Sequence, residues 1–250
     1  MIQGIPKIIH YCWLSDDPFP SDIERCIASW KKFLPDYEFM LWNTHTFPMQ
    51  DSLWVQQAFE KKKYAFASDY IRLYAVYHHG GIYMDTDVEV VRGFDDLLHL
   101  PYMMGTEGGG WIEAGVFGAG RNTPWLKSCL DYFEKPFVKN DGTMDMVTLP
   151  QVMNSIISKD YTLKIADRNT IETHIEEEKD RTVYLFEKDF FCAKDMGTGV
   201  ITKTVNTYTI HHFAMSWIPA GQRFLPDLKR KLIRIFGEKW IIGIVKIMTR

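Results

Sequence analysis

An α/β fold, one domain followed by a basic tail, is what this 250-residue sequence predicts, and three observations carry the prediction. Strand-like and helix-like patterns alternate along the chain, which favours a layered α/β domain over a helical bundle. The 46% hydrophobic and 14% aromatic content can bury one sizeable core, and no Pro-, Gly- or Ser-rich linker divides it. Residues 66 to 84 show the junction such a fold is made of, a helical pattern that stops at a glycine pair and runs into a short apolar strand. No internal repeat or low-complexity segment is present.

The elements follow in chain order. Ser21-Asp22-Ile23-Glu24 has the spacing of a capping box, with Ile23, Ile27, Trp30 and Leu34 on the buried stripe of the helix it opens. Phe66, Tyr70, Leu73, Tyr74 and Tyr77 recur at three- and four-residue spacing, so a helix is expected there, stopped by Gly80 and Gly81 in a left-handed conformation. Asp69 and Arg72, three apart, share a face of it. Ile82, Tyr83 and Met84 read as a buried strand, after which Asp85 and Asp87 are expected to point the same way because strand side chains alternate. Residues 123 to 134 and 145 to 158 read as helices, and 176 to 181 as a solvated charged turn with no chemistry assigned. Tyr208 to Phe213 reads as a strand in which His211 and His212 face opposite ways, so one of the two reaches any site on that side.

Two hard oxygen ligands at a strand end suit Mg²⁺ or Mn²⁺, and magnesium keeps several waters and takes one or two carboxylates together with substrate phosphates. Asp85-Thr86-Asp87 therefore reads as a diphosphate holder acting through a metal. A solvated acidic turn is the commonest fate of an isolated Asp-x-Asp. An EF-hand loop beginning at Asp85 is a poor match, because Val90 and Asp96 stand where it needs Gly and Glu. A phosphohydrolase with Asp85 as nucleophile would also follow an apolar strand and stays open. So does a metal-dependent carbohydrate-binding module, although that reading leaves Asp69 and Arg72 without a role.

The string Ala67-Ser68-Asp69-Tyr70-Ile71-Arg72, followed by Gly80-Gly81-Ile82-Tyr83-Met84-Asp85-Thr86-Asp87, resembles the core of glycosyltransferases with the DXD-type sugar region, the Och1-like and capsular-polysaccharide transferases. The clostridial glucosylating toxins are their distant relatives. Ile5 to Trp13 is similar to the first strand of that family, and Tyr37 to Asn43 to its second; Ile210-His211-His212-Phe213-Ala214-Met215-Ser216-Trp217 is similar to its closing segment. The resemblance implies a GT-A fold, a mixed central sheet flanked by helices, and transfer of a hexose from a nucleotide diphosphate sugar with retention of configuration. It implies that Asp87 is the main metal ligand, helped by Asp85, and that His212 or His211 completes the shell, His212 being slightly preferred. Asp69, Arg72, Tyr83 and Asp85 would hold donor sugar, ribose and diphosphate. Trp13 would stack on the base with Asn43 near it, and Ser216 and Trp217 would close over the diphosphate. For each tryptophan, ordinary core packing is the competing reading.

The chemistry agrees with those roles, since breaking the anomeric C–O bond builds negative charge on the leaving diphosphate, which a divalent ion and Arg72 would stabilise. Glu113, in Trp111-Ile112-Glu113-Ala114-Gly115, stands where many relatives carry Asn, on the segment expected to face the acceptor. It is a candidate nucleophile or oxocarbenium stabiliser, the competing reading being an acid that positions a sugar hydroxyl.

The net charge of −3 hides an asymmetry. Residues 222 to 250 hold eight Lys or Arg against two acids, a local +6, which leaves −9 on residues 1 to 221. A GT-A catalytic domain over 1–221 and a basic amphipathic helix over 222–250 are expected, the helix lying on an anionic membrane surface beside a lipid-linked acceptor, with docking onto the body as the competing reading. The longest uncharged run there, Trp240 to Val245, is too short to cross a bilayer. Four cysteines without zinc or CxxC spacing, and no apolar signal sequence, fit a reducing cytoplasmic location at the inner face of the plasma membrane. An acidic body without a recognition motif speaks against nucleic acid. The reading that results is a Mn²⁺- or Mg²⁺-dependent retaining hexosyltransferase of surface polysaccharide or glycolipid synthesis. Its donor is expected to be UDP-galactose or UDP-glucose, with GDP-mannose as the alternative, and its acceptor a saccharide or a lipid-linked one.

Overall fold

The structure, a computed structural model, describes residues 4–175 and 181–214. Its first half contains β1 (Ile8–Cys12), α1 (Ser21–Phe33), β2 (Glu38–Trp42), α2 (Leu53–Glu60), α3 (Tyr64–His79), β3 (Gly81–Met84) and β4 (Val88–Val90). β5 (Tyr102–Gly108), β6 (Trp111–Ala119), α4 (Pro124–Asp131), α5 (Leu149–Asp160), β7 (Thr162–Ala166), α6 (Arg168–His174), β8 (Thr182–Phe186), α7 (Lys188–Phe191) and β9 (Thr209–His211) follow. Seven strands form one mixed sheet in the order β2-β1-β3-β6-β5-β8-β7, and β4 and β9 form a separate ribbon. β1 is parallel to both its neighbours, β6 is antiparallel to β3 and β5, and β8 is parallel to β5 and β7. The expected α/β sandwich is therefore present, a mostly parallel central sheet flanked by helices. No helix among the described residues is long and apolar enough to cross a membrane.

Parallel pairing decides where chemistry collects. Because β2, β1 and β3 run the same way, the residues just past their carboxyl ends, Asn43, Trp13 and Asp85, fall at one edge of the sheet. In open α/β sheets ligands bind at that edge. Strand alternation splits β1 between two layers: Tyr11 meets Trp30 of α1 with ring centroids 5.3 Å apart, while His10 turns to His79 of α3.

The glycine pair fixes the handover from α3 to β3. Gly80 has φ 66° and Gly81 φ 105°, and a Cβ on Gly81 would lie 2.6 Å from the Ile8 carbonyl oxygen. His10 Nε2 donates to the Gly80 carbonyl at 2.8 Å and Trp42 Nε1 donates to His10 Nδ1 at 3.1 Å, so one buried imidazole ties β1, β2 and the α3 stop together. Burial holds its pKa down to about 4, with the Gly80 bond opposing.

Three local expectations are corrected. α1 is preceded by Pro20 at its N-cap with no side-chain cap, because the fixed proline φ starts the helix at Ser21 itself, so Ser21 to Glu24 is not a capping box. α5 begins at Leu149 rather than 145, with Pro150 in its first turn and Thr148 N donating to Gln151 Oε1 at 3.1 Å. Asp85 and Asp87 lie in a turn closed by Val88 N donating to the Asp85 carbonyl at 3.0 Å, not on a strand, so pleat alternation is not what makes them converge. The charged segment 176 to 180 and everything from Met215 on, including the basic tail, lie outside the described residues.

Candidate active site

The ribbon delivers the third member of the cluster. Antiparallel pairing sets His211 opposite Val88, so the imidazole arrives beside the turn that carries the two carboxylates. One ligand atom each from Asp85, Asp87 and His211 lie within 4.8 Å of one another, with Nε2 of His211 3.4 Å from Asp87 Oδ1 and 4.0 Å from Asp85 Oδ2. Asp87 is braced by the Ala214 amide, which donates to Oδ2 at 2.6 Å, and the His212 amide donates to its carbonyl at 3.0 Å. Burial pushes Asp87 up, but His211 and the Ala214 amide outweigh it and hold the carboxyl down to about 2. His211 shows the reverse balance: burial opposes the imidazolium, yet Glu113 and Asp87 hold its pKa well above the ordinary imidazole value. Two hard oxygens and an imidazole nitrogen, converging in a site of negative potential, fit Mg²⁺ or Mn²⁺ taken with substrate phosphates.

Arg72 organises the other side. Its Nη1 donates to Asp85 Oδ2 at 3.3 Å and to the Ala114 carbonyl at 2.9 Å, its Nη2 to Ser68 Oγ at 3.1 Å, and its Nε to the Ser68 carbonyl at 3.4 Å. Nη2 also lies 3.3 Å from Asp69 Oδ1 and 3.2 Å from Asp85 Oδ1, and the guanidinium stacks 4.6 Å above the Tyr83 ring. Tyr83 donates its hydroxyl to Asp85 Oδ1 at 2.8 Å. With the side chain 8% exposed and its donors committed to protein groups, Arg72 braces Asp85 and Asp69. Burial raises Asp69 to about 7 against the pull of Arg72 and of the Leu149 amide at the start of α5. Burial likewise pushes Asp85 up, with Arg72 opposing.

Glu113 stands on the far side of His211 from Asp87. Its Oε1 accepts from His211 Nδ1 at 3.1 Å and from the Gly115 amide at 2.7 Å, and its side chain is 1% exposed. The imidazole and the strand itself hold Oε1, while Oε2 meets no hydrogen-bond partner among the described residues, a placement that favours a supporting acid over a nucleophile. What the position does instead is fix the ring so that Nε2 faces the carboxylates, a familiar support for a metal-binding histidine. The preference for His212 is reversed: its Nε2 donates to Glu89 Oε2 at 2.8 Å, away from Asp87.

Trp13 and Asn43 lie at the same sheet edge but are locally engaged. Trp13 Nε1 donates to the Asp17 carbonyl at 2.8 Å and its ring packs on Phe19, while Asn43 Oδ1 accepts from the amides of His45 and Thr46. A half-buried Trp13 keeps ring surface at that edge; the Asn43 carbonyl oxygen is spent on a turn. Ser216 and Trp217 lie outside the described residues. Sequence reasoning missed Glu107, near the end of β5, which falls in one of the two register shifts that flank Thr106 in the pairing with β6. Burial and the nearby Glu113 charge raise it to about 7, against His211 and Lys188. An acid ending an apolar run before Gly108-Gly109-Gly110 was the only signal for it, and that is weak.

The family profile described as glycosyltransferase sugar-binding region containing DXD motif matches residues 20–102, which include Asp69, Arg72, Asp85 and Asp87 but not Trp13, Glu113 or His211. Inositol phosphoceramide mannosyltransferase 3 of Schizosaccharomyces pombe is 32% identical over 130 residues, 49% of this chain and 35% of that protein. Mannosyl phosphorylinositol ceramide synthase SUR1 of Saccharomyces cerevisiae is 33% identical over 103 residues, 40% of this chain and 27% of that protein. The chain thus matches about a third of the length of these curated relatives. A solved PaToxG glycosyltransferase superposes with a TM-score of 0.50 at 18% identity, covering 71% of this chain and 74% of that one, and so supports the fold. The resemblance to DXD-containing glycosyltransferases read in the sequence holds, and with it the GT-A type of fold.

Proposed function

We propose that this chain is a metal-dependent glycosyltransferase that transfers a hexose from a nucleotide diphosphate sugar, with retention, onto a saccharide or lipid-linked acceptor. The observation that carries it is the convergence of Asp85, Asp87 and His211 beside the Arg72 scaffold, at the sheet edge where parallel strands end. Asp87, Asp85 and His211 would hold Mn²⁺ or Mg²⁺, which when bound neutralises charge developing on the departing diphosphate. The remaining work falls to the chain. Arg72 and Tyr83 lock Asp85, the Ala214 amide locks Asp87, and Glu113 keeps the His211 ring turned, so the ligands need no reorganisation as charge develops. Trp13 offers a ring at the same edge for the base.

Mannose is the donor sugar we favour, ahead of the galactose or glucose that sequence alone put first, because matching relatives are named inositol phosphoceramide mannosyltransferase and mannosyl phosphorylinositol ceramide synthase. GDP-mannose is then the donor and a glycolipid the acceptor class. A panel of GDP-mannose, UDP-galactose, UDP-glucose and UDP-N-acetylglucosamine, with Mn²⁺ or EDTA, tests this through slow donor hydrolysis. Mn²⁺-dependent release of GDP from GDP-mannose is expected. Preference for a UDP-sugar would replace the sugar assignment, and hydrolysis of none would remove the transferase reading in favour of phosphohydrolase or lectin assays.

A further inference from the structure

A cleft of about 630 Å³ opens between the β5–β6 hairpin and α5, lined by Gly109, Gly110, Trp111, Val147 and polar residues of the helix. We propose that it binds the polyol part of the acceptor, a sugar or cyclitol ring, with Trp111 as its stacking face. The proposal rests on the transferase reading above, which assigns it no residues.

Two walls of the cleft are continuous with the candidate site. Trp111 lies two residues before Glu113 on β6, about 7 Å along the strand. Glu113 holds the His211 ring. On the other wall, Val147 lies two residues before Leu149, whose amide lies near Asp69. From there α5 carries Gln151, Ser155 and Ser158 away from the site over roughly 14 Å, the span of nine helical residues and long enough to lie along a ring and its substituents. The Trp111 end of the cleft is thus the end nearer the ligand cluster.

The platform is built rather than incidental. Trp111 is 42% exposed and is the only exposed Trp, Tyr or Phe among the described residues. Asn154 clamps the chain on both sides of it: Nδ2 donates to the Gly110 carbonyl at 3.0 Å and Oδ1 accepts from the Ile112 amide at 3.0 Å. The turn before it is set by three consecutive glycines with positive φ, 109°, 63° and 83°. A pinned indole face beside Val147 suits the C–H face of a ring. The Gln151 amide and the hydroxyls of Ser155 and Ser158 supply the donors and acceptors its hydroxyls need, the usual division of labour in a ligand cleft.

The test uses the full chain titrated by ligand-observed NMR with myo-inositol and with methyl α-mannoside. Parallel titrations with GDP-mannose and UDP-galactose in Mn²⁺ report the donor site separately. Saturable polyol binding is expected, weakened about tenfold in Trp111→Ala and largely restored in Trp111→Phe. Ser158→Ala, which removes one hydroxyl partner and leaves the hairpin alone, should weaken it about threefold. Polyol binding equal in wild type, Trp111→Ala and Ser158→Ala overturns the proposal, as does no saturable binding of either polyol. Neutral phosphatidylcholine vesicles form the last arm: Trp111-dependent vesicle binding without polyol binding would assign the face to lipid and overturn the polyol assignment. Polyol binding that depends on Trp111 while no donor binds would sustain the cleft and sink the transferase reading.

Discussion

Glu113 spends its charge on a neighbour. It is the partner of His211 Nδ1, so replacing it with Gln keeps size and a hydrogen-bonding oxygen while removing the charge that orients the ring. Loss of such a support lowers metal affinity by roughly 10- to 100-fold. Mn²⁺ titration of Glu113→Gln by calorimetry should show a loss of that size with the fold intact; unchanged affinity with abolished donor turnover would return Glu113 to the nucleophile role. His10 gives a prediction of a different kind. Its folded pKa of about 4 lies below the ordinary value of 6.5, so between those pH values the unfolded chain takes up a proton that the folded chain refuses. Its share of stability is complete above pH 6.5 and is lost as pH falls toward 4, by up to about 3 kcal/mol. Urea unfolding of wild type and His10→Gln across that window should show a steeper loss in the wild type, and identical pH slopes would contradict the assignment.

At the scale of elements, the α3–β3 junction is the part of the molecule that sequence describes best. A three- and four-residue apolar spacing, two glycines and a short apolar strand are local signals, and the helix, stop and strand appear where those signals put them. Gly81→Ala tests the physical reason: with φ at 105° and an added Cβ 2.6 Å from the Ile8 carbonyl oxygen, it should cost about 3 kcal/mol, read as a lower denaturant midpoint. A loss below about 1 kcal/mol would show that backbone relaxation removes the clash. Less was legible where an arrangement depends on distant chain. The sequence places two acids at a strand end, but their convergence with His211 comes from the register of β4 with β9, fixed by packing between segments over a hundred residues apart. The choice between His211 and His212 turned on that register, because one position decides which imidazole faces Asp87 and which faces Glu89. Arg72 was visible as a site residue, yet its saturation by Ser68, Asp69, Asp85 and Ala114 depends on how α3 meets β6, which no local pattern encodes. The capping box at Ser21 failed for a nearer reason, since Pro20 already starts the helix.

Over the whole molecule, an acidic body of −9 carries a basic end of +6. If that end binds an anionic surface, each Lys or Arg near it contributes about 1 kcal/mol, and deleting residues 222 to 250 should abolish sedimentation with phosphatidylserine vesicles. Equal sedimentation of the truncated chain would remove membrane attraction from the tail. The central claim lies elsewhere, in three residues that two separate parts of the fold bring together. Its most direct measurement is calorimetric Mn²⁺ titration of the full chain, with and without GDP, for wild type and Asp87→Asn. One Mn²⁺ site that tightens in the presence of GDP and disappears in Asp87→Asn is the predicted result, whereas Mn²⁺ binding unaltered by Asp87→Asn would contradict the account.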